Sequence, residues 1–176
     1  MSFTSDKWVN LKPRGANLEV EDFLSMRFAN LSALLHRNVT RQYLMRHDIG
    51  LPEWRVLTML VRYGSVTTRK LRDASGMDKG QMSRALRELE QRGLLERDAD
   101  ATHELRQVLR ISDAGTTLYN RIMPDARKSQ AALLAHLTLG ERKALDSALR
   151  KLKAVAEAEP AEGTERRAQT TGSKKK

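Results

Sequence analysis

Apolar residues recur along this chain with two different periods. From Val20 onward Phe23, Leu24, Phe28, Leu31, Leu34, Leu35, Val39 and Tyr43 fall three and four apart, which predicts one long amphipathic helix. Gly50, backed by Pro52, is read as its end. Pro52 suits the first turn of a second helix, on which Trp54, Leu57, Leu60 and Val61 share a face until Tyr63-Gly64-Ser65 breaks the pattern. The elements then shorten. Thr67 or Thr68 caps a third helix running to about Ser75, and Gly76 makes a turn. Asp78 caps a fourth helix, to about Arg92, that buries Met82, Leu86 and Leu89.

Past Gly93 the segments Leu94-Leu95-Glu96-Arg97 and Val108-Leu109-Arg110-Ile111 read as two strands joined by a polar stretch, 98–107. A helix resumes after Ser112-Asp113 with Leu118, Ile122, Ala126, Ala132, Leu133 and Leu137 on one side and Pro124 as an expected kink. Thr138 opens a last helix carrying Leu145, Leu149, Leu152 and Val155. Residues 1–18, with Lys12-Pro13-Arg14-Gly15, have little periodicity and are expected to form a flexible arm that Trp8 and Val9 would anchor. Residues 158–176, ending in Lys174-Lys175-Lys176, offer nothing to bury and predict a disordered basic tail. The fold class that follows is mainly α with a small β-hairpin wing.

Composition narrows the function. The 176 residues suit one domain, and 40% hydrophobic with only 5% aromatic content fits a helix-rich protein. A net charge of +10 makes a polyanion the natural partner, because basic surface gains affinity by displacing counterions from phosphates. The absence of cysteine excludes disulfides, thiolate metal sites and thiol redox sensing, and accords with a reducing cytosol. No apolar run approaches the roughly 18–20 residues that cross a bilayer, and 1–13 lack a signal-peptide core, so a cytoplasmic protein without a membrane partner is expected. His36, His47, His103 and His136 never pair at helical spacing, so no metal is expected. Neither a nucleophile with its base nor a glycine-rich phosphate loop is evident; no catalytic residue, cofactor or enzyme activity is expected.

A short helix, a glycine turn, a second helix with polar and basic residues in its first turns, and then a hairpin is the plan of a winged helix-turn-helix. Beside the buried stripe of the fourth helix, Lys79, Gln81, Ser83, Arg84 and Arg87 are left to face outward. Gln and Arg are the side chains that pair bidentately with adenine and guanine, whereas Lys79 and Ser83 suit phosphates. Thr68 and Lys70 in the third helix and Arg97 at the wing base complete the candidate DNA contacts outside the wing. The bland alternative is a solvated face, with Arg84 and Arg87 bound to Glu88 or Glu90; the glycine turn and the hairpin weigh against it.

The run Met77-Asp78-Lys79-Gly80-Gln81-Met82-Ser83-Arg84-Ala85-Leu86, with Leu89-Glu90 and Arg92-Gly93-Leu94, resembles the recognition helix of the multiple antibiotic resistance regulator (MarR) family. Leu51-Pro52-Glu53-Trp54 with Val56-Leu57, and Leu109-Arg110-Ile111-Ser112-Asp113-Ala114-Gly115, resemble that family's second-helix start and wing exit. The likeness covers about residues 20–157. Two departures stand out. The wing's usual Asp-x-Arg motif is replaced by Thr102-His103-Glu104-Leu105-Arg106, which makes Arg106 the first minor-groove candidate, against a structural or phosphate role, and Arg97 the second; Arg72 stands where the turn usually packs a small residue.

The resemblance implies a homodimer on double-stranded DNA. Residues 19–50 and 113–157 would form its helical dimerisation region and 51–112 its DNA-binding lobe. It also implies a phenolic or carboxylate effector, for which Ser25, Phe28, Leu31, His36, Trp54 and Met59 are candidates and Arg27 or Arg37 a carboxylate partner. Trp54 has a competing reading as core, and His36 as an ordinary helix-face residue. The expected function is a sequence-specific regulator, repressor in the first instance, at a pseudo-palindromic operator. The rivals are a non-specific architectural nucleic-acid binder and a winged-helix protein-interaction module.

Overall fold

The computed structural model describes residues 6–100 and 103–158, without the side chains at 6, 99–100 and 103–107. The expected tail lies outside these residues from 159 onward. The chain divides into two compact units, one ending at Gln130 and one beginning at Ala131.

The first unit is built around three helices, α3 (Leu51–Tyr63), α4 (Thr68–Ser75) and α5 (Lys79–Gln91). Each begins where the sequence supplies a start signal. Pro52 sits in the first turn of α3, the Thr67 hydroxyl accepts the Lys70 N–H at the start of α4, and Asp78 Oδ1 accepts the Gln81 N–H at 2.8 Å to open α5. Gly76, at φ 65°, makes the left-handed turn that ends α4. Leu57, Leu60, Leu71, Met82 and Leu89 are fully buried together with Leu109 and Ile122, so helices and hairpin share one core.

Strands β1 (Leu95–Asp100) and β2 (His103–Ile111) pair antiparallel, Leu95 opposite Ile111 and Arg97 opposite Leu109. Val66 joins them by exchanging two backbone hydrogen bonds with Leu109, at 3.0 and 2.8 Å. Helix α6 (Asp113–Ala135) leaves the hairpin through a tight junction. The Ser112 hydroxyl donates to the Gly93 carbonyl at 2.6 Å and accepts the Gly115 N–H at 3.0 Å, while Ser112 N–H donates to the Leu94 carbonyl. A Cβ on Gly115 would stand 2.1 Å from that carbonyl oxygen, so the approach requires glycine. Helix α6 continues through Pro124, which removes one helical hydrogen bond without ending the helix.

The single long helix expected from Val20 is subdivided. A 3-10 turn at Val20–Asp22 leads to α1 (Leu24–Leu35), then a π-helical turn (His36–Thr40), then α2 (Arg41–Met45). Gly50 does not close it. Asp48 takes the left-handed turn at φ 49°, which aspartate tolerates, and Gly50 is extended ahead of α3. This corner is tied down on two sides: Arg92 donates to the Asp48 carbonyl at 2.6 Å, and His47 Nε2 lies 3.2 Å from Asp125 Oδ2 on α6.

The segment expected as a flexible arm is folded over 6–22. Its centre is the buried Asp22 carboxylate, 2.7 Å from Lys7 Nζ and 3.0 Å from Arg27. The Trp8 indole donates to the Asp22 carbonyl at 2.7 Å, and the Arg27 guanidinium lies over the Trp8 ring. The Lys7 hydrogen bond, helped by the Glu19 N–H and Arg27, holds the Asp22 pKa down to about 2. Trp8 is thus the anchor, whereas Val9 is largely exposed.

In the second unit, α7 (Leu139–Ala158) starts at a reciprocal cap in which Glu141 accepts the Thr138 N–H at 2.8 Å and donates its own N–H to the Thr138 hydroxyl at 3.3 Å. Leu145, Leu149, Leu152 and Val155 recur along it at helical spacing and all are exposed.

Candidate nucleic-acid interface

At 100° per residue, the buried stripe of α5 (Met82, Ala85, Leu86 and Leu89) fixes where every other side chain points. Arg84 and Arg87, with Gly80, stand opposite the stripe at the crest of the exposed surface. Lys79 and Ser83 occupy one shoulder, Gln81 and Glu88 the other. Asp78 serves the helix by filling a backbone acceptor role, which leaves the first turn free of acidic side chains. Neither Arg84 nor Arg87 has an ion-pair partner among the described residues, and Glu90 is engaged with Arg97 across the wing base. The Arg84 guanidinium lies close to Gly80, 3.4 Å from where a Cβ would stand.

The candidate residues divide between two concave surfaces. Lys79 and Ser83 border a crevice of about 250 Å³ between α4 and α5, shared with Thr68, Arg72 and Arg97. Arg84 and Arg87 border a wider cleft of about 600 Å³ against the 45–53 corner, which Arg92 and Glu53 also line. Lys70 points away from the crevice, with Nζ 5.1 Å from the Tyr63 ring centroid. Arg97 is exposed on the strand face it shares with Leu95 and Leu109, borders the crevice, and is held by Glu90. Arg72 extends its guanidinium to within 3.7 Å of Asp73, so its long stem is accommodated at the surface. Arg106 is on β2, and its side chain is outside the described residues.

The six effector candidates are not gathered into one site. Ser25, Phe28 and Leu31 are exposed on α1, while Trp54 is buried and stacked on Tyr119 at 5.5 Å between ring centroids. Met59 packs against the core, and His36 is half-buried in the π-helical turn with Nδ1 unbonded. Neither of these two concave surfaces is lined by any of them. Among the described residues no group of three or more His, Asp or Glu side chains could hold a metal ion, and no helix is long and apolar enough to cross a membrane.

Sequence reasoning missed three arrangements: the cations on Tyr63, the Asp22 clasp and the tethered corner. Each joins residues whose spacing carries no periodic signal. Tyr63 marks only the end of a helix in the sequence, yet Arg62 and Lys70 both lie over its ring.

Comparison with known proteins agrees with this geometry. The MarR family model matches residues 47–115, which span α3, α4, α5 and the hairpin. YwaE of Bacillus subtilis, an uncharacterised HTH-type transcriptional regulator, is 23% identical over 136 residues, covering 73% of this chain and 80% of that protein. The crystal structure of a MarR/EmrR family transcriptional regulator from Acinetobacter sp. ADP1 superposes with a TM-score of 0.70 at 21% identity, over 81% of this chain and all of that one. Bordetella bronchiseptica BpsR, whose DNA binding is regulated by 6-hydroxynicotinic acid, superposes with a TM-score of 0.66 at 18% identity, over 77% and 96% of the two chains. Fold and family match converge: residues 47–115 match the MarR family model, and the chain has the winged helix-turn-helix fold of solved MarR-family transcription regulators.

Proposed function

We propose that the protein is a cytoplasmic repressor that binds a pseudo-palindromic operator as a homodimer. The observation that carries this reading is the crest of α5, where two unpaired arginines stand opposite the buried stripe with Gln81 beside them. A helix presenting Arg and Gln at its N-terminal half can match the donor and acceptor pattern of guanine and adenine edges in the major groove. Lys79, Ser83, Thr68 and Lys70 supply phosphate contacts, which set register without reading sequence. Arg97 and Arg106 belong to the wing side of the footprint.

Dimerisation is supported by apolar surface that this chain does not cover. On α1, Phe28, Leu31 and Leu34 are 39%, 51% and 45% exposed; on α7 the apolar positions are equally bare. Contiguous apolar faces of this kind are covered by a partner in soluble proteins, and a second copy supplies a self-complementary one. BpsR suggests the effector class, a small aromatic carboxylate. Such a ligand releases DNA only by binding one lobe spacing better than another.

The test is selection of genomic fragments by the purified protein at ~150 mM salt. One shared motif with half-sites about 10 base pairs apart is the expected result. Uniform recovery of fragments would replace this reading with an architectural binder, and no recovery would point to a protein partner.

A further inference from the structure

Five cations of the DNA-binding lobe are matched by an acceptor. Asp73 lies 3.8 Å from Arg69 and 3.7 Å from Arg72, Glu90 holds Arg97, Asp98 holds Arg110, and the Asp48 carbonyl takes Arg92. Arg62, in the last turn of α3, and Lys70, in the first turn of α4, are treated differently. The Arg62 guanidinium carbon is 5.3 Å and the Lys70 Nζ 5.1 Å from the centroid of the Tyr63 ring. Neither cation has an ion-pair partner among the described residues.

The negative face of an aromatic ring attracts each cation but neutralises neither. Two like charges gathered on one ring therefore repel, and an incoming anion relieves that repulsion. The one carboxylate on α4, Asp73, is engaged by the two arginines beside it, so no acidic side chain on that helix competes. The N-terminal end of α4, opened by the Thr67 cap, adds a partial positive charge at the same place. Tyr63 itself is 37% exposed, which leaves the cations within reach of a partner. Thr68, at the same end of α4, lines the crevice that also holds Lys79 and Arg97.

We propose that Tyr63 is a positioning residue that presents Arg62 and Lys70 to the DNA phosphate backbone, adding sequence-independent contacts beside those of α5. The inference rests on the DNA-binding reading above and deepens it. The ring lowers the freedom that two long side chains would lose on meeting phosphates, so the contact is prepared before DNA arrives.

Full-length Arg62→Gln, Lys70→Gln, Tyr63→Ala and Tyr63→Phe are compared with the unaltered protein on an operator duplex and a random duplex across a salt series. Each charge removal is expected to lower affinity equally on both duplexes and to shallow the slope of log K against log[salt] by about two units, one for each protomer of the dimer. Tyr63→Ala is expected to weaken both about fivefold, and Tyr63→Phe, which keeps the ring, to stay within about twofold. Arg84→Ala serves as the control that loses discrimination between the duplexes. Unchanged slopes in Arg62→Gln and Lys70→Gln would overturn the phosphate contact, and undiminished binding by Tyr63→Ala the positioning role. In either case the DNA reading stands as long as Arg84→Ala still loses discrimination. If Tyr63→Ala melts early, the two salt slopes decide alone. An unaltered protein that binds neither duplex overturns both this inference and the function beneath it.

Discussion

Replacing Gly115 with alanine adds one methyl group at the most crowded point of the lobe. The new Cβ would stand 2.1 Å from the Leu94 carbonyl oxygen and 2.7 Å from an Ile111 side-chain carbon. The carbonyl has no room to swing aside, because it accepts the Ser112 N–H. The start of α6 must therefore retreat by about 1 Å, at an overpacking cost of ~1–3 kcal/mol. That movement also stretches the Ser112 bonds to Gly93 and Leu94, each worth ~1 kcal/mol. Alanine returns at most ~1 kcal/mol of helix propensity. The net expectation is a loss of ~2–4 kcal/mol. Urea unfolding at one fixed protein concentration reads it, since the stability of a dimer varies with protomer concentration. The midpoint should fall without a change in slope. A variant within about 0.5 kcal/mol of the unaltered protein would refute the contact that seats α6 on the wing exit.

Gly80→Ala should act in the opposite direction on stability, gaining ~0.5–1 kcal/mol in helix propensity, because its Cβ would meet only the Asp78 carboxylate at 3.2 Å and the Arg84 guanidinium at 3.4 Å; a variant less stable than the unaltered protein in urea would contradict that fit. Arg84→Ala should cost ~1–3 kcal/mol at the operator and relax specificity, whereas Lys79→Ala should weaken all sequences alike; equal losses on both duplex types in both variants would dissolve the distinction between them. Asp22, at about 2 against an ordinary 3.8, stabilises the folded segment fully above pH 3.8, and that contribution fades as pH falls toward 2. Hydrogen-exchange protection of residues 6–22 should follow that course and lose its pH step in Asp22→Asn; the same step in the variant would assign it to another group. Leu31→Glu, which places a charge on the exposed face of α1, should yield a monomer in sedimentation, and an intact dimer would remove that face from the interface.

The lobe was legible because its determinants are local. Thr67, Gly76 and Asp78 act within a few residues of where they stand, and the buried stripe of α5 fixes its outward face by geometry alone. The wing followed from a change of period after Gly93. Val66, by contrast, pairs with a strand 43 positions away, and nothing at Ser65-Val66 marks it. The Asp22 clasp escaped for the same reason: Lys7 and Arg27 flank it at separations that match no helix or strand. Gly50 misled because glycine serves both ends of helices, and the residue that took the left-handed turn was Asp48. The outward orientation of α5 was readable; the division of its side chains between two concave surfaces depended on neighbours brought in by α4 and the 45–53 corner.

The π-helical turn at His36–Thr40 changes what the heptad-like run from Phe23 to Tyr43 means. One residue more per turn advances the helix phase by about 100° relative to an uninterrupted α-helix. Upstream of the turn, Phe28, Leu31 and Leu34 look outward; downstream, Tyr43 and Leu44 are buried in the lobe. A single apolar stripe is thereby divided between two clients. Deleting one residue within 36–40 would restore a regular helix and swing the whole of α1 around its own axis by about 100° relative to the lobe, with no change in the identity of any side chain on either face. In this protein the register of five residues is thus a dial that sets which way the first helix offers its apolar surface.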